Sequence, residues 1–74
     1  MDHDQRMAAQ EKLRETAKNT YLVYEVHPTR HQRMAHLYVL HGNGEGRHYW
    51  EDDSPEGTGR AFRSAQRYED QVKP

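Results

Sequence analysis

Between Ser54 and Val72 apolar residues recur at helical spacing: Ala61, Phe62, Ala65, Tyr68 and Val72. At about 100° per residue they form one stripe, with Arg60, Arg63 and Arg67 roughly opposite. Such a helix draws its stability from burying its stripe, so the rest of the chain must supply a surface to receive it. Ser54 suits a cap and Pro55 the first helical position. Gly57 and Gly59 weaken that first turn, and regular helix is expected from about Thr58.

Three strand-like runs precede this helix. Thr20 to His27 is rich in Tyr and Val and ends at Pro28, which has no N–H for a ladder. Its two faces are both fairly apolar, the pattern expected of a central strand. Met34 to His41 places Ala35, Leu37 and Val39 on one face and Met34, His36, Tyr38 and Leu40 on the other. Arg47 to Glu51 follows the loop Gly42-Asn43-Gly44-Glu45-Gly46, where Asn-Gly predicts a hairpin with positive φ at both residues. Upstream, Asp2 or Asp4 suits the cap of a first helix running to about Lys18, with Asn19 as a left-handed terminator. Its apolar stripe (Ala9, Leu13 and Ala17) is narrow, which predicts a helix that is lightly docked, frayed, or an interface for a second copy. The expected fold is α+β, in the order α-β-β-β-α. A three-stranded antiparallel meander carries the C-terminal helix on one face. Residues 1–74 read as one small domain, with a helix over 1–19 and a βββα core over 20–72.

Core material is scarce. Hydrophobic residues make up 32% of the 74 residues, and the mean hydropathy is −1.36. Aromatic rings must supply much of the buried area, and a homodimer would help complete so small a core. With no cysteine, disulfide staples and thiolate zinc sites are excluded, which points to a reducing, cytoplasmic setting. No apolar run approaches the ~20 residues of a membrane span, so no membrane partner is expected.

Charge is arranged in blocks around a net of −1. Glu51, Asp52, Asp53 and Glu56 stand directly before the arginine helix. This arrangement suits a partner of mixed charge better than a bare polyanion. Arg60, Arg63 and Arg67 are candidates for forked hydrogen bonds to an acidic or phosphate-bearing surface. Tyr49 and Trp50 alternate faces on a strand, so one of them turns outward as a contact anchor, with Glu51, Asp52 and Asp53 as a second electrostatic contact. The six histidines lack any recognised metal-ligand spacing, so no metal is expected and most are read as surface or edge residues. The glycine loop lies between strands rather than before a helix, which argues against a phosphate cradle. Nucleophile and acid–base pairs are also wanting, so neither catalysis nor a cofactor is expected.

The functional expectation is a small non-enzymatic interaction protein. It would be of the phage or mobile-element accessory type, docking on a bacterial protein or ribonucleoprotein complex and inhibiting or modulating it. The alternative is a nucleic-acid-binding module in which Arg30, Arg33 and Arg47 join the helix arginines and exposed aromatics stack on bases. The absence of a basic excess weighs against it.

Overall fold

A computed structural model describes residues 1–73. The order is α1 (His3–Arg14), β1 (Asn19–Val26), β2 (Arg33–Leu40), β3 (Gly46–Asp52) and α2 (Pro55–Val72). The strands form one antiparallel sheet in the order β1-β2-β3, so the fold is α+β as the sequence predicts. The central strand is β2 rather than β1. The apolar pattern of Thr20 to His27 has a different cause, since one of its faces packs on the helices and the other joins an aromatic surface.

Register fixes those faces. Leu37 pairs with Leu22 on one side and Tyr49 on the other, and Val39 pairs with Thr20 and Arg47. This inner face meets both helices. Leu37 and Val39 cluster with Leu13 and Ala17 from the α1 region and with Ala61, Phe62 and Ala65 of α2. The α1 stripe is therefore spent inside the chain, and Leu13 is fully buried. Asp2 and Gln5 close a reciprocal capping box at the start of α1, and the helix ends at Arg14, short of Lys18. Asn19 opens β1 instead of terminating the helix in a left-handed conformation.

Local chemistry explains the connections. His27 Nδ1 accepts from the backbone N–H groups of Thr29 and Arg30, and His27 N–H donates to the Gln32 carbonyl, which closes the β1–β2 turn. In the β2–β3 loop, Gly44 N–H donates to the His41 carbonyl and His41 N–H to that of Glu45. Only Gly44 takes a positive φ there, at 89°. The loop is thus a three-residue connection closed by a left-handed glycine rather than a two-residue Asn-Gly turn. α2 starts at Pro55, earlier than expected, because the Ser54 side chain accepts from Gly57 N–H and Asp52 accepts from Ser54.

Candidate functional site: the uncovered face of the sheet

Both helices lie on the inner face, leaving the opposite face of the sheet without a covering layer. Its cross-strand rows run Asn19–Leu40–Gly46, Tyr21–Tyr38–His48, Val23–His36–Trp50 and Glu25–Met34–Asp52. Tyr21 and Trp50 are each 51% exposed and Leu40 is 40% exposed, whereas Met34 is buried. A shallow groove of about 340 Å³ crosses one end, between Leu40, Gly46 and the Tyr21–Tyr38–His48 row.

That row is a stack of rings standing on the sheet. Tyr38 and His48 lie 4.4 Å apart, centre to centre, with planes 3° apart, and Tyr21 and Tyr38 lie 5.2 Å apart at 23°. The spacing is close to the ~4.8 Å between strands, so the pairing of the strands itself sets the stack. The rings spend their faces on one another and turn their edges to solvent. A base needs a free face to stack on, and here only the outer faces of Tyr21 and His48 remain.

Beside the stack, His36 Nδ1 and His48 Nε2 are 2.8 Å apart. Their ring centres lie 5.0 Å apart, with planes within 17°. The two rings therefore meet edge to edge in nearly one plane, in the geometry of an N–H···N hydrogen bond. A tetrahedral metal held by both nitrogens at about 2 Å would keep them about 3.3 Å apart, wider than the 2.8 Å between these two. Burial lowers the proton affinity of His48, His36 lowers it further, and Glu25 opposes both.

The charged candidates fare differently. Arg60 Nη2 lies 3.4 Å from Glu51 and 3.5 Å from Asp52, so three residues expected to grip a partner bind one another. Arg33 pairs with Asp53 at 3.3 Å and lies over the Tyr24 ring. Arg47 pairs with Glu45 at 3.3 Å and covers the Tyr68 ring 3.6 Å from its centre. Among the described residues, Arg30, Arg63 and Arg67 make no ion pair. Arg63 and Arg67 lie on the solvent side of α2, behind the sheet from Trp50. The arginine stripe and the aromatic anchor are therefore on opposite sides of the molecule, not one contact surface.

Tyr49 is the inward member of the aromatic pair. Its hydroxyl lies 2.8 Å from His41 Nε2, and His41 Nδ1 lies 2.9 Å from Glu69 Oε1, which also accepts from Gly42 N–H at 3.0 Å. His41 and Glu69 are both fully buried, which corrects the reading of His41 as a surface or edge residue. Burial pushes the Glu69 carboxyl up. Interactions with Thr16, Gly42 and His41 outweigh this and hold it below its usual value, although Oε2 has no partner in full hydrogen-bond geometry. An ionised carboxylate only accepts, so His41 Nδ1 donates to Glu69. Burial raises the Tyr49 pKa and keeps it a donor. The trio pins the β2–β3 loop to the end of α2. His41 and Glu69 expose no atom, and Tyr49 is half-buried.

No family model, characterised protein or solved structure matches this chain. No helix among the described residues is long and apolar enough to cross a membrane.

Proposed function

We propose that this chain is a non-enzymatic docking protein that binds a bacterial protein or ribonucleoprotein complex and modulates or inhibits it. The uncovered sheet face, with Trp50 and Tyr21 half exposed and Leu40 beside the groove, carries the reading. Contiguous exposed aromatic and aliphatic groups rimmed by polar ones are the usual make-up of a protein contact. Three strands of about seven residues give a face of only a few hundred Å². A standard interface needs about 800 Å² from each partner, so the partner must also engage the rim around Glu25 and Asp52 or one sheet edge. The nucleic-acid alternative is less well supported because the ring faces inside the Tyr21–Tyr38–His48 stack are occupied and Arg33 and Arg47 are engaged internally.

The test is capture from a nuclease-treated bacterial lysate by the wild-type chain, a Trp50→Ala/Tyr21→Ala variant and an Arg63→Ala/Arg67→Ala variant. A discrete protein complex held by the wild type and the arginine variant, but lost with the aromatic variant, is the expected result. Binding that survives loss of the aromatics and disappears with the arginines would overturn it. So would binding that depends on nucleic acid and collapses steeply with salt.

A further inference from the structure

The hydrogen bond between His36 and His48 joins two strands across the middle of the uncovered face, with His36 directly opposite Trp50 and His48 directly opposite Tyr38. An N–H···N bond needs one nitrogen protonated and the other bare. The pair can therefore be neutral or carry one extra proton and keep the bond. With both rings charged, two donors face each other and the bond cannot exist.

We propose that His36 and His48 act as a proton-operated switch on the proposed docking face, closed while the pair carries at most one added proton and opened by a second. The switch rests on the docking reading for its consequence: an open pair carries two positive charges in the middle of an otherwise apolar patch, which disfavours an apolar partner.

The surroundings allow this. Helices lie only on the other side of the sheet, so every group facing the pair comes from a strand. β1 contributes Tyr21, Val23 and Glu25. β2 contributes Met34, Tyr38 and Leu40. β3 contributes Trp50, with Asp52 tied to Ser54 and Arg60. Glu25 is the one unpaired carboxylate among them, so it favours the first added proton but cannot balance two. Arg47, next to His48 in sequence, points to the other face over Tyr68. Interacting histidines titrate as a pair, in two separated steps.

The switch is tested on the full chain labelled with 15N in its imidazoles. At pH 7.5 a through-bond coupling between His36 Nδ1 and His48 Nε2 is expected. On acidification the coupling should persist through a first step. It should vanish in a second step at lower pH. The single tryptophan, Trp50, gives an independent readout: its emission should change with the midpoint of the second step, and His36→Gln should abolish that change. Two independent titrations near the ordinary value without coupling, or a Trp50 signal indifferent to the second step, would overturn the switch. Both readouts use the free chain, so they stand or fall separately from the capture experiment.

Discussion

His41 and Glu69 are 28 residues apart in sequence yet form the only fully buried ionisable pair among the described residues. No local pattern announces such a pair, because it exists only once the β2–β3 loop and the end of α2 are brought together. Tyr49 shows the same limit: alternation requires Tyr49 and Trp50 to face opposite ways, but only tertiary packing decides which one turns inward. Removing the Glu69 carboxylate leaves His41 Nδ1 and Gly42 N–H without their acceptor, so Glu69→Ala should cost about 1–3 kcal/mol in urea unfolding. The pH dependence follows from the same residue. Glu69 has a folded pKa below its usual 4.5, so its contribution to stability is present above that value and is lost as pH falls through the folded one. His48 is also depressed, which favours proton uptake by the unfolded chain and removes stability as pH falls below about 6.5. Urea midpoints should therefore fall in two stages from pH 7 to pH 3. Glu69→Gln should shrink the lower stage, to which Glu45, Asp52 and Asp70 also contribute, and leave the upper one.

Elements were more legible than contacts. Alternation in Met34 to His41 correctly separated Ala35, Leu37 and Val39 from the opposite face, because a half-covered strand must obey a period of two. The start of α2 was blurred by Gly57, and the structure shows why glycine stands there. A Cβ built on Gly57 would lie 2.5 Å from the Asp52 carbonyl oxygen and 2.9 Å from Asp52 Cγ. The strand-to-helix corner closes only over a bare Cα. Gly57→Ala should therefore destabilise the fold by about 1–3 kcal/mol. Gly46 provides the contrast, since a Cβ there meets nothing within 4 Å. Gly46→Ala should leave the urea midpoint nearly unchanged, and a comparable loss at both glycines would contradict the corner argument. On β2 the same logic separates Leu37, fully buried, from Leu40 on the uncovered face. Leu37→Ala should cost about 2–5 kcal/mol, while Leu40→Ala should alter binding more than stability.

At the scale of the molecule, the two-layer build ties function to marginal stability. Scarce as they are, the apolar residues are concentrated on one side of the sheet, and both helices cover that side. What remains on the other side is an aromatic face that one small chain cannot also cover. α1 is the critical piece of this economy, because Leu13 and Ala17 join a core of only a few small side chains around Leu37 and Phe62. A chain this short buries only about 60% of its unfolded surface, so it has little stability to lose. Deleting residues 1–18 should therefore abolish cooperative urea unfolding and amide-exchange protection across β2, rather than merely shift the midpoint. Cooperative unfolding with protected Leu37 and Val39 amides in the shortened chain would show that β1 to α2 suffices, and that α1 is an accessory. Loss of protection throughout would show that the uncovered aromatic face exists only because α1 helps to hold the sheet from behind.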